Sequence, residues 1–176
     1  MADFLTDVQT LRDKARDDIM SGPVTSSYGT DVGKVIELLN VALATELICV
    51  LRYRQHHFTA SGLDSEPVAA EFLEHSNEEQ DHADQLADRI VQLGGDPLFD
   101  PSALAGRAHS EYVTATDLSE MVRENLVAER VAIASYTEMI NWIGSADPTT
   151  RRVLETILAK EEEHADDMLT FLEPQH

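Results

Sequence analysis

The chain has 176 residues, a mass of 19.5 kDa and a formal charge of −20, with 33 acidic against 13 Lys and Arg residues and a pI near 4.4. The length predicts one domain spanning 1–176, and 43% hydrophobic with 26% charged residues fits a soluble globular protein and excludes a disordered one. The charge argues against nucleic acid or an anionic membrane as partner and is compatible with cations as substrate or cargo. Cys49 is the single cysteine, so an intramolecular disulfide is excluded. Charges spread through residues 1–20 leave no secretory segment, and no run of about 18 apolar residues predicts a membrane span. The cytoplasm is the expected location.

Phe4, Val8, Leu11, Ala15 and Ile19 recur at helical steps and predict a short amphipathic helix. It lies in an extension, residues 1–30, and is expected to pack on a larger body or a neighbouring subunit. SGPVTSSYGTD (21–31) breaks it. A first long helix is predicted from an Asp31 N-cap to about His57, with a face of Val35, Leu39, Ala42, Leu43, Glu46, Val50 and Tyr53. A loop with Ser61, Gly62 and Asp64 leads to a second helix near Ser65, with Pro67 in its first turn. Its face reads Phe72, His75, Ser76, Glu79, His82, Ala83, Leu86 and Ile90, and Gly94–Gly95 stop it.

Residues 96–110, with Pro97, Pro101 and Gly106, form the longest irregular connection, long enough to cross a bundle. The third long helix begins between Ser110 and Thr116 and ends at Gly144, presenting Met121, Leu126, Glu129, Ala132, Ile133, Tyr136 and Ile140. Asp147-Pro148 opens the fourth, with Val153, Leu154, Ile157, Leu158, Glu161, His164, Ala165, Met168 and Leu172 on its face. Short connections within each pair imply antiparallel hairpins. The expected fold is all-α: a four-helix bundle over about 31–173 with one long crossover and an additional N-terminal helix.

Glu46, Glu79, Glu129 and Glu161 interrupt these apolar stripes. A lone carboxylate in a core costs several kcal/mol or picks up a proton, and four together repel; cations remove the problem. His82 and His164 each follow a glutamate by three positions, one turn along the same face. Each hairpin therefore offers Glu, then Glu-x-x-His, and the spacings Glu46–Glu79 and Glu129–Glu161 are nearly equal. Four carboxylates and two imidazoles are a ligand set for two iron or manganese ions, with zinc also accommodated. Tyr53 and Tyr136 each follow a stripe glutamate by seven residues; each is either a core tyrosine, a hydrogen-bond donor to a ligand carboxylate or a one-electron donor near the metals.

ELICVLRY around Glu46, EEQDH (78–82), ERVAIASY around Glu129 and EEEH (161–164) together resemble the bacterioferritins and related ferritin-like proteins over about 31–173. The resemblance implies a ferroxidase that oxidises Fe(II) with O2 or H2O2 and stores or detoxifies iron. It implies Glu46 and Glu129 as terminal ligands, Glu79 and Glu161 as bridging ligands, and one nitrogen to each metal from His82 and His164. Tyr53 is implied near the centre. Gln80 stands where bacterioferritins carry a haem-ligating Met, so haem is not expected. Twelve residues follow His164, which the fourth helix consumes, and a helical segment precedes the bundle. These two features resemble a twelve-subunit cage of the Dps-like type, with a 24-mer as the alternative. The rival readings are a manganese catalase or other di-metal oxidoreductase, and a Dps-like protective cage. Direct DNA binding is not expected, since MADFLTDVQTLRDKARDD holds three basic and five acidic residues.

Glu78, Glu162 and Glu163 are expected on solvated faces, as are Asp81, Asp84 and Asp88. His75 is either an outer partner of the ligands or a satisfied, partly buried histidine. His56 and His57 suit a cationic role at a helix C-terminus. Cys49 is expected as a buried thiol, and Trp142 as packing at the end of the bundle.

Overall fold

The computed structural model describes residues 7–63 and 65–173. Phe4, on the first predicted stripe, and Asp64, in the first loop, lie outside the described residues. Six helices and no strand are present among the described residues: α1 (Val8–Asp17), α2 (Val32–Thr59), α3 (Ser65–Gln92), α4 (Pro101–Arg107), α5 (Leu118–Ile143) and α6 (Pro148–Leu172).

Aspartates start five of them. Asp7, Asp31, Asp100, Asp117 and Asp147 each accept a hydrogen bond from a first-turn backbone N–H, satisfying donors the helix cannot. Asp117 thereby fixes the start of α5 at Leu118, two residues beyond the predicted window. Gly144 ends α5 at φ 55°, a left-handed conformation that only glycine adopts without strain.

α2 pairs with α3 and α5 with α6 as hairpins, and the hairpins meet through α2–α5 and α3–α6 contacts. The crossover is laid along α2 by polar clasps in order. Asn40 donates to the Asp96 carbonyl and accepts from Leu98 N–H, Thr45 accepts from His109 N–H, Arg52 donates to the Glu111 carbonyl, and His56 Nε2 accepts from Ala115 N–H. The chain thus returns to the far end of α2, and α5 starts antiparallel to it. One short helix, α4, interrupts the crossover, which the prolines and Gly106 had marked as irregular.

His56 is fully buried rather than a surface cation. Burial, then the neighbouring Arg52 charge, pushes its pKa down to about 4, and the neutral ring is satisfied by Asn125 and Ala115. Trp142 is half exposed, not packed into the bundle end. Met121, Met139 and Met168 are core residues, while Met20 is 92% exposed.

Every residue of α1 is exposed, Val8 and Leu11 included, so this helix is buried against nothing among the described residues. The segment after it is pinned at Tyr28, whose hydroxyl donates to Asp147, and at Gly29, where a Cβ would sit 2.9 Å from the Ala146 carbonyl oxygen. Asp147 also takes both ends of a buried network, accepting from Arg89 Nη2 at 3.1 Å on each oxygen and from the Thr150 hydroxyl.

The apolar core has two large parts and a small third one. The first holds Leu39, Leu43, Leu86, Ile90, Ile140 and Ile157, the second Cys49, Phe72, Val68, Met121, Leu126 and Met168, and the third Ala44, Ile48 and Leu104, where α4 meets α2. Glu46, Glu79, Glu129 and Glu161 form a polar layer between the two large parts, each 1% exposed or less.

Candidate metal centre

The layer is built from one turn of each long helix. Glu46 lies on α2, Glu79 and His82 on α3, Glu129 on α5, and Glu161 and His164 on α6. All six are buried. They fall into two groups whose ligand atoms lie within 4.8 Å of one another: Glu46, Glu79, Glu161 and His82, and Glu79, Glu129, Glu161 and His164. Glu79 and Glu161 belong to both. Each group adds one glutamate from α2 or α5 and one imidazole from α3 or α6.

Many atoms in this layer lack a partner. Glu79 Oε1, Glu129 Oε2, both Glu161 carboxylate oxygens and His164 Nδ1 are buried with no hydrogen bond. Orphaned acceptors are costly in a core, and their convergence is what a cation site requires. A donor set of carboxylate oxygens with two imidazole nitrogens fits Fe(II), Mn(II) or Zn(II).

Without metal, His82 carries the compensating charge. Its Nδ1 lies 2.8 Å from Glu161, 3.0 Å from Glu79 and 3.6 Å from Glu46. Burial alone would lower its pKa, but the close carboxylates of Glu161, Glu46 and Glu79 outweigh that and push it up to about 12. Burial raises Glu79, reinforced by the Glu46 and Glu129 charges, and raises Glu161, reinforced by Glu79, Glu46 and Glu129, so both resist ionisation. Glu46 goes the other way: burial disfavours its charge, but the hydrogen bond from His82 wins and lowers it. The metal-free layer is therefore held together by protons.

The two tyrosines make a reciprocal clasp across α2 and α5. Tyr53 on α2 donates to Glu129 Oε1 on α5, and Tyr136 on α5 donates to Glu46 Oε1 on α2. Seven residues separate each tyrosine from the glutamate of its own helix, and antiparallel packing hands each hydroxyl to the glutamate of the other. Burial, and then the adjacent carboxylates, hold both phenols well above their ordinary pKa.

Two residues at the flank touch this set: Glu78, expected on a solvated face, and His75, for which an outer partner of the ligands was one of two expectations. Glu78 is half-buried, accepting from His164 Nε2 at 2.7 Å and ion-paired with Lys160 at 3.2 Å. His75 is fully buried, its ring stacked on that of His164 with centroids 4.0 Å apart and its Nδ1 3.2 Å from the Tyr53 hydroxyl. Burial, then the proximity of His164, pushes the His75 pKa down to about 3. Glu78 shows no periodicity signal, since it sits on the shoulder of the stripe. His75, one turn before Glu79, is on the stripe itself. A recess of about 220 Å³ lined by Glu78, Asp81, His82, Gln85, Thr156 and Lys160 reaches this edge of the layer. Gln80 lies outside the cluster and donates to Asp84. Cys49 is buried, with Arg52 Nη2 3.6 Å from its sulfur.

Residues 36–174 match the family model described as Ferritin-like domain. A nutrient stress-induced DNA-binding protein of Nostoc sp. is 34% identical over 78% of this chain and 77% of its own length. A bacterioferritin of Brucella melitensis is 32% identical over 81% of this chain and 82% of its own. Among solved structures, a dodecameric thioferritin, the bacterioferritin-related protein from Bacteroides fragilis, superposes with a TM-score of 0.79 at 36% identity, covering 82% of this chain and 87% of that one. Dps from Thermosynechococcus elongatus, with a TM-score of 0.78 at 20% identity, shares the fold. Bundle, polar layer and these likenesses together show that the chain belongs to the ferritin-like domain family.

Proposed function

We propose that the chain is a ferroxidase that oxidises Fe(II) with O2 or H2O2 and stores or detoxifies iron within a homo-oligomeric shell. Twelve subunits are the favoured assembly, by analogy with the dodecameric relative, and 24 the alternative. The observation that carries this reading is the pair of four-ligand groups sharing Glu79 and Glu161, with their orphaned buried oxygens.

In this reading Glu46, Glu79, His82, Glu129, Glu161 and His164 bind two Fe(II) ions as substrate. Glu79 and Glu161 each reach both ions, Glu46 and His82 one, Glu129 and His164 the other. A pair of ions supplies two electrons together, reducing O2 with two protons to H2O2, or H2O2 with two protons to water. Hard anionic carboxylates favour the ferric product. Tyr53 and Tyr136 hold Glu129 and Glu46 by their Oε1 atoms, leaving each second oxygen for a metal. His82, freed of its proton by the incoming charge, becomes a nitrogen donor. The two large apolar clusters exclude bulk water on either side.

Fe(II) added stepwise in air to the metal-free protein, followed by sizing and iron analysis, tests the reading. Iron far above two per chain on a large particle is the expected result. Saturation at two or fewer on a small oligomer points instead to another di-metal oxidoreductase, and peroxide disproportionation by a manganese-loaded protein to a catalase. Glu79→Gln and Glu161→Gln are each expected to abolish rapid oxidation while retaining helix content. Unchanged oxidation rates in both overturn the assignment. Despite the DNA-binding name of the Nostoc relative, a charge of −20 places no direct DNA contact in this reading, and a low-salt gel shift is expected to show no retarded band.

A further inference from the structure

Outside the six-residue centre, Glu71 and His75 of α3 and Asp167 of α6 bring ligand atoms within 4.8 Å of one another. The two carboxylates are half-exposed, but His75 is 1% exposed. Its Nε2 lies 3.3 Å from Glu71 Oε1 and 3.5 Å from Asp167 Oδ2. Its Nδ1 faces the Tyr53 hydroxyl, whose own proton is given to Glu129. The tyrosine oxygen can therefore only accept from His75, which places the proton of a neutral imidazole on Nδ1. Nε2 is then a lone pair on a buried side chain, facing two carboxylate oxygens. Three acceptors converge with no donor among them, an arrangement that is unfavourable until a cation enters.

We propose that Glu71, His75 and Asp167 form a third cation site, separate from the centre and taking a divalent ion of the zinc, iron or manganese kind. One nitrogen and two carboxylates match those ions, and the half-exposed carboxylates leave room for water as the remaining ligands. His75 also belongs, with Glu78 and His164, to a further group within 4.8 Å. Two shared imidazoles thus link the outer site to the centre, and burial rises from Glu71 and Asp167 inward to Glu129 and Glu161. The site stands whether or not the inner pair oxidises iron.

Zn(II) bound by the metal-free protein in excess Mg(II), counted after equilibrium dialysis, tests it. The native chain is expected to hold about three Zn(II), and Glu71→Gln/Asp167→Asn about one fewer. Both positions are half-exposed and both replacements isosteric, so the bundle is retained. Glu79→Gln/Glu161→Gln is expected to lose the inner pair and keep the outer ion. An unchanged zinc count in Glu71→Gln/Asp167→Asn overturns the third site; an unchanged count in Glu79→Gln/Glu161→Gln overturns the inner centre instead. Crystals grown with zinc are expected to show an anomalous peak about 2.0–2.1 Å from His75 Nε2. A map with peaks at the inner positions alone rejects the site.

Discussion

Glu79 and Glu129 each have one oxygen that is hydrogen-bonded and one that is not, and Glu161 has two that are not. Tyr53→Phe removes the donor to Glu129 and leaves that carboxylate with no partner at all. The expected cost in the metal-free protein is about 1–3 kcal/mol, read from denaturant midpoints. An unchanged midpoint would show that the clasp contributes nothing. Protons make a second prediction. Glu79 and Glu161 are raised and His82 is raised to about 12, so at neutral pH the native metal-free chain holds protons that the unfolded chain has released. A raised pKa gives stability that is complete at low pH and lost as pH climbs towards the folded value. From pH 7 to 9, above the range where His56 and His75 titrate, the metal-free midpoint is expected to fall. The zinc-loaded midpoint is expected to hold or rise, and zinc binding at pH 7.5 to release up to about three protons per chain, measurable with a weakly buffered indicator. A metal-free midpoint that rises over this interval contradicts the proton-held layer.

At this scale the sequence was most informative where it broke its own pattern. A glutamate on an apolar stripe is legible because periodicity says where the core must be, and Glu46, Glu79, Glu129 and Glu161 all sit there. Glu78 was not legible. A residue beside the stripe points along the helix surface, and only the position of α6 decides that His164 and Lys160 lie against it. The partner of each tyrosine was equally hidden, because spacing along one helix does not say which carboxylate of the neighbouring helix arrives opposite.

Between elements, caps carry much of the specification. The starts of α2 and α6 are readable from Asp31 and Asp147-Pro148, and the α2–α3 and α5–α6 hairpins follow from their short loops. The start of α5 was ambiguous because several polar residues precede it, and α4 was hidden because seven residues that include a proline and a glycine carry no period. Asp147 joins three segments: it caps α6, pairs with Arg89 of α3 and anchors Tyr28 of the segment before α2. Asp147→Ala strips the cap and leaves a buried guanidinium unpaired, at an expected cost of about 3 kcal/mol or more. Asp147→Asn, which retains the cap but not the charge, is expected to cost less. Equal midpoints for the two variants would reduce the network to a simple cap.

For the whole molecule, surface apolar groups are the informative feature. Phe58 is 77% exposed and Ile19 78%, on a chain otherwise dense in negative charge. Such side chains mark surfaces that another molecule covers. If the shell of the proposed function forms, particles of roughly 230 kDa are expected for twelve chains of this mass. Phe58→Asp is expected to shift the population to smaller species in light scattering. An isolated native chain of 19.5 kDa at micromolar concentration would remove the shell from the proposal. Symmetry of this kind is not written in helical periodicity, which records only which face is apolar and not what faces it.

The two hairpins mirror each other in ligand type but not in surroundings. His82 stands among three carboxylates, whereas His164 is tethered to Glu78 and lies flat against His75. If the proposed pair of ions binds here, one entering beside His82 would displace a proton from an imidazolium, and one entering beside His164 would meet a nitrogen whose ring is already oriented by its far side. The two berths are therefore chemically unequal, and filling is expected to be ordered, with a half-filled state stable enough to trap. A chain loaded with one equivalent of one metal and then one of another would carry a heteronuclear pair rather than a statistical mixture.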